Sequence, residues 1–136
     1  MELDTGHMRE PSAWVNECSN RVIGAAIAVH RQLGPGFLES TYEAALALEL
    51  EAREIAFERQ HVIVVRYNGV PIAEQRIDLL VEEVLVVELK SLAELSSVHI
   101  AQTRAYLAAA QLELGLLINF NVPYLRDGIK RVVWSR

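Results

Sequence analysis

From Arg76 to Lys90 the sequence reads Arg-Ile-Asp-Leu-Leu-Val-Glu-Glu-Val-Leu-Val-Val-Glu-Leu-Lys, and three of its charges, Asp78, Glu88 and Lys90, are spaced to act together. The segment predicts two strands joined near Glu82-Glu83, and the register between them decides what the charges do. A two-residue loop would set Val81 against Val84 and put Glu88 beside Ile77, scattering the apolar residues over both faces. A three-residue loop, or an equivalent bulge, sets Val81 opposite Leu85 and Asp78 opposite Glu88. One face is then wholly apolar, made of Ile77, Leu79, Val81, Leu85, Val87 and Leu89. The other carries Arg76, Asp78, Leu80, Val84, Val86, Glu88 and Lys90.

The register that makes the better core therefore brings two carboxylates and an ammonium group together. Neighbouring carboxylates repel, and the pKa of one rises unless a cation lies between them. Mg²⁺ or Mn²⁺ prefers carboxylate oxygens, and the Leu89 carbonyl would add a further donor. Lys90, one pleat beyond Glu88, would orient or deprotonate a metal-activated water for attack on phosphorus. The plain alternative is a solvated strand face with three unrelated charges, which is the common fate of a bare Glu-x-Lys. Strands this rich in Val and Leu read as buried on both faces, where unpaired charges are costly, and that favours a site.

Other polar residues fall where they can join the group. Glu39 lies close to Leu46 and Leu50 on a helical wheel and is expected to point with the apolar stripe, as a further ligand of the same cation. Glu49 falls near that stripe as well. Tyr42, three residues after Glu39, is either plain core or a donor to the Glu39 carboxylate. Gln102 and Tyr106 share a helical face, with His99 one turn before them, and would hydrogen-bond a phosphate or the water at the mouth of the site. His99 and His30 lack zinc-ligand spacing and read as structural or solvent-facing.

The elements that position these residues follow from periodicity. Apolar residues at helical spacing run from Val15 to Leu33 and end at Gly34-Pro35-Gly36, and a second helix rich in Ala, Leu and Glu runs from about Phe37 to Arg53. Strands are expected at His61 to Tyr67, closed by the Asn68-Gly69 turn, and at Ile72 to Val81 and Val84 to Leu89. A helix from about Val98 to Leu114, a strand from Leu116 to Phe120, a turn at Asp127-Gly128 and a strand from Ile129 to Trp134 complete the chain. Residues 1–13 show no periodicity; they are read as a disordered or cloning-derived segment containing Gly6-His7-Met8, ahead of one domain over residues 14–136.

Composition sets the class. The 136 residues are 51% hydrophobic and 23% charged, as in a globular domain, and no apolar run approaches the roughly 20 residues of a membrane span. The single cysteine, Cys18, has no internal partner, and no secretory signal opens the chain, which points to the cytoplasm. The net charge of −5 weighs against broad neutralisation of nucleic-acid phosphates, although acids gathered around a cation inflate it.

Gly36-Phe-Leu-Glu39-Ser-Thr-Tyr42 resembles the pattern that names the GxxExxY protein family. The resemblance continues in order through Ala25 to Leu50, the Asp78 strand, Glu88-Leu-Lys90, the Gln102 helix and Leu116 to Phe120. It implies the restriction-endonuclease-like α/β fold of the PD-(D/E)XK superfamily, a central mixed β-sheet flanked by helices. By that resemblance Asp78 is the metal-binding acid, Glu88 and Lys90 are the (D/E)xK pair, Gln102 and Tyr106 form the QxxxY motif of RecB-like nucleases, and Glu39 is the extra helix acid. The proline of the motif is absent, since Ile77 precedes Asp78. The expected function is a Mg²⁺- or Mn²⁺-dependent nuclease hydrolysing phosphodiester bonds of DNA, in preference to RNA. The alternatives are a catalytically silent module that binds nucleic acid or a protein partner, and an enzyme for small phosphate-bearing substrates. Arg66, Arg76, Arg104, Lys130 and Arg131 gathered near Lys90 would favour nucleic acid, and a homodimer would let two sites cut two strands.

Overall fold

The structure is a computed structural model that describes residues 2–4 and 9–136. Helix α1 (Ala13–Leu33) starts after Pro11-Ser12 and buries Val15, Cys18, Val22, Ile23, Ala26 and Val29, a stripe at three- and four-residue steps. It stops at Gly34, whose φ of 69° suits a residue without a Cβ. Helix α2 (Glu39–Ala52) follows and packs against α1.

The sheet is then laid down. Strand β2 (Phe57–Tyr67) turns at Asn68-Gly69 into β3 (Val70–Val81), which returns to β4 (Leu85–Lys90). Helix α3 (Ser97–Ala110) crosses to β5 (Leu114–Asn119), and a 3₁₀ turn (Leu125–Gly128) leads to β6 (Ile129–Val133). Adding β1 (Glu2–Asp4), the strand order is β1-β6-β5-β4-β3-β2. Strands β4 and β5 run parallel, as do β6 and β1, and the other neighbours are antiparallel. The parallel β4–β5 pair needs a crossover, and α3 supplies it. This is the expected mixed sheet flanked by helices.

Helices α1 and α2 cover one face, closing over Leu79, Val81, Leu85, Val87, Leu89, Leu116 and Ile118. Helix α3 covers the other, over Ile63, Ile77, Leu80, Val86 and Val132 around Leu107. Both faces of β4 are thus dry, which accounts for its unbroken apolar run. No described helix is long and apolar enough to cross a membrane.

The fold departs from the sequence reading at three points. Residues 1–13 are not outside the fold throughout: Glu2–Asp4 pair with Lys130–Val132 at the sheet edge, Arg9 N–H donates to Ser135 Oγ at 3.3 Å, and α1 already begins at Ala13. A three-residue strand is too short to show a period, and an open edge supplies the backbone partners that order it. Gly6-His7-Met8 lie outside the described residues. Helix α3 ends four residues early, because Gln111 takes left-handed φ of 56° and frees Leu114 for β5. Ile77 packs under α3 and not with Leu79, so the alternation of β3 breaks at Asp78.

Candidate active site

The loop between β3 and β4 has three residues, Glu82 to Val84, and the ladder runs Val81↔Leu85, Leu80↔Val86, Leu79↔Val87, as the apolar pattern requires. Asp78 and Glu88 are next in that register, and there the backbone pairing stops. Asp78 N–H donates to Glu88 Oε1 at 2.8 Å, and Leu89 N–H donates to Asp78 Oδ2 at 2.8 Å. Side-chain carboxylates thus link the two strands where their backbone ladder ends. These bonds fix one oxygen of each acid and leave Glu88 Oε2 and the more loosely held Asp78 Oδ1 for other partners.

Glu88 is only 6% exposed. Burial, reinforced by the Asp78 charge, pushes its carboxyl up to about 7, against the relief given by the Asp78 N–H and by Lys90. Glu39 adds a smaller upward push, which places α2's first turn within electrostatic reach. From the opposite face, burial and then the charges of Glu88 and Asp78 raise the Tyr106 phenol, and its hydroxyl meets Gln75 Oε1 at 3.5 Å. Asp78, Glu88, Lys90 and Tyr106 are therefore gathered around one opening in the sheet.

Two expected members sit differently. Glu39 is exposed at the first residue of α2, not core-facing. A wheel gives direction around the axis but not how far a helix end projects beyond its neighbours. The buried acid of that face is Glu43, one turn on and 8% exposed, whose Oε2 accepts from Arg59 Nε at 3.0 Å and Oε1 from Gln60 Nε2 at 2.7 Å. Gln102 is exposed on α3, one turn before Tyr106, with no hydrogen bond to Asp78, Glu88 or Lys90 among the described residues. Sequence reasoning missed Glu43 and Gln60; the four-residue step from Glu39 could have found the first, and nothing local marks the second.

The remaining candidates are structural. Tyr42 does not bond Glu39: fully buried, it stacks on Phe120 at 4.4 Å, donates to Gly34 O at 2.6 Å and accepts from Phe37 N–H at 3.2 Å. His99 Nδ1 accepts from Ser96 N–H at the start of α3, and His30 Nε2 donates to Val122 O at 2.8 Å. Of the five basic residues, Lys130 and Arg131 lie on β6, where Arg131 bonds Asn16; Arg104 on α3 reaches Val133 O, and Arg66 and Arg76 lie on β2 and β3, Arg76 two residues from Asp78.

A family model described as the PD-(D/E)XK nuclease superfamily matches residues 16–132, spanning every residue of this opening. The chain belongs to the PD-(D/E)XK nuclease superfamily. No curated protein and no solved structure shows a significant match to it. Nucleases of the PD-(D/E)XK superfamily generally use divalent cations, typically Mg²⁺. The donor set here fits such an ion: two carboxylates, each with one oxygen anchored by a backbone N–H, one of them pushed up by burial and by the charge of the other. Among the described residues no three Asp, Glu, His or Cys side chains converge.

Proposed function

We propose that this protein is a metal-dependent nuclease hydrolysing phosphodiester bonds of DNA, with Asp78 and Glu88 holding Mg²⁺ or Mn²⁺. The observation that carries the reading is the interruption of the β3–β4 ladder, where two acids take N–H groups of the facing strands and burial with the Asp78 charge pushes the Glu88 carboxyl up to about 7. A bound divalent ion would supply positive charge for the pentacoordinate phosphorus and a better nucleophile from water. Asp78 and Glu88 would hold the ion, each with one carboxylate oxygen anchored by a backbone N–H. Lys90, on the strand of Glu88, donates to the attacking water or the phosphoryl oxygen and offsets the charge of the two acids. Tyr106, and Gln102 one turn before it on α3, would hydrogen-bond the flanking phosphate, and Glu39 would reach the ion through water from α2.

Membership of the GxxExxY group within the superfamily is part of this proposal. Gly36, with φ of 110°, and the Tyr42 hydroxyl shape the loop that delivers Glu39, which gives each residue of the motif a physical task. The test is nicking of supercoiled plasmid with Mn²⁺. Wild type should relax it, while Lys90→Ala and Asp78→Asn should lose at least about a hundredfold in rate, as expected when a positioned charge or ligand is removed. Intact plasmid and intact single-stranded DNA after incubation of wild type with either Mg²⁺ or Mn²⁺ would leave a silent nucleic-acid-binding module as the better account.

A further inference from the structure

Gln60 is the one residue inside β2 with a left-handed backbone, φ of 52°, a conformation that a non-glycine residue in mid-strand holds only when its surroundings enforce it. The flanking pairs Arg59↔Leu79 and His61↔Ile77 keep the same register, so no residue has been inserted, and the position facing Gln60 is Asp78. Three groups hold Gln60 there. Its amide Nε2 donates to Glu43 Oε1 at 2.7 Å, Glu43 is itself locked by Arg59, and the Gln60 carbonyl accepts from Arg76 Nη1 at 3.2 Å. So anchored, the same Nε2 is aimed at Asp78 Oδ1, 3.4 Å away.

We propose that Gln60 is a positioning residue for Asp78, anchored by the Glu43–Arg59 pair. Asp78 Oδ2 is already fixed by the Leu89 N–H, so an amide steering Oδ1 leaves the carboxylate a single rotational setting beside Glu88. The backbone strain is then the cost of turning that amide inward. Removing a group that orients a metal ligand from behind typically costs about 10- to 100-fold in affinity. The inference rests on the reading that Asp78 and Glu88 hold a cation.

The test combines Mn²⁺ titration calorimetry with melts in the absence of metal, on wild type, Gln60→Gly, Glu43→Ala and Glu43→Gln. Gln60→Gly should melt close to wild type, because the freedom of glycine at positive φ offsets the lost bond to Glu43, yet bind Mn²⁺ about tenfold more weakly. Glu43→Ala should weaken binding similarly, and Glu43→Gln, whose amide oxygen still accepts from Gln60, should recover to within about threefold of wild type. Wild-type affinity in Gln60→Gly, or Glu43→Gln as weak as Glu43→Ala, would overturn the proposal while leaving the cation site standing. A loss of affinity that merely tracks a lowered melting temperature would overturn it in favour of a structural role. Wild type that binds no Mn²⁺ would overturn both.

Discussion

The β3–β4 pair has two ends built on opposite principles. From Leu79 to Leu85 the backbone ladder is complete, both faces are covered, and every side chain but those of the loop is apolar. One residue further, the ladder gives way to carboxylates that consume backbone donors, and the environment holds Glu88 against its ordinary ionisation. The closed end supplies the stability that lets the open end keep two acids in a partly dry opening. Local cost at the site is tolerable because it is borne by a short stretch next to a well-packed one.

Three measurements would break or sharpen that contrast. Leu85→Ala at the closed end removes a fully buried side chain from under α1 and α2. It should cost about 3 kcal/mol, lowering the melting temperature by roughly 10 °C, with Mn²⁺ affinity of the folded protein unchanged. A loss of metal affinity as large as the loss of stability would show that the two ends are not separable.

Glu88→Gln at the open end should act in the other direction. With the folded carboxyl at about 7 and the unfolded one at 4.5, the folded chain retains a proton that the unfolded chain has released between those values. Stability contributed by this group is therefore full below about pH 4.5 and falls as pH rises towards and through 7. Glutamine can still accept the Asp78 N–H but never ionises. The variant should match wild type near pH 4.5 and exceed it at pH 8, by up to about 3 kcal/mol without metal. Melts across this range give the answer, and parallel curves for the two proteins would remove the strained-acid account. Added Mn²⁺ should raise wild type and not the variant.

Tyr42→Phe is the smallest effect, about 1 kcal/mol, since the ring stack on Phe120 survives while Phe37 N–H and Gly34 O lose their shared partner. If the loop only caps α1, Mn²⁺ affinity will not change. A drop in affinity alongside the small loss of stability would tie the loop, and with it Glu39, to the open end.

The closed end was legible in the sequence almost completely. Loop length and the alternation of Leu and Val forced the register, and the register forced Asp78 opposite Glu88. What could not be read was the exchange of backbone for side-chain partners, because a pattern of apolar and polar residues says which groups meet and not which hydrogen bonds they make. The same limit explains Ile77, whose side follows from the distortion at Asp78 and Gln60, and Gln60 itself, whose residue type does not announce a positive φ. Glu39 was assigned to the right helix face at the wrong depth, and its neighbour Glu43 took the buried place. Strand β1 escaped notice because it consists of three residues that depend on β6 for their order.

The two amide protons spent on carboxylates have a use beyond architecture. The N–H of Asp78 reports on Glu88 and the N–H of Leu89 reports on Asp78, each across 2.8 Å, so the backbone carries one built-in spectroscopic probe for each acid. A nitrogen–proton correlation spectrum distinguishes them by residue, with no label placed in the site and no substitution made. Protonation of Glu88 alone would move one resonance, whereas an ion held by both acids would move the pair together, so occupancy and ionisation can be told apart in the unaltered protein.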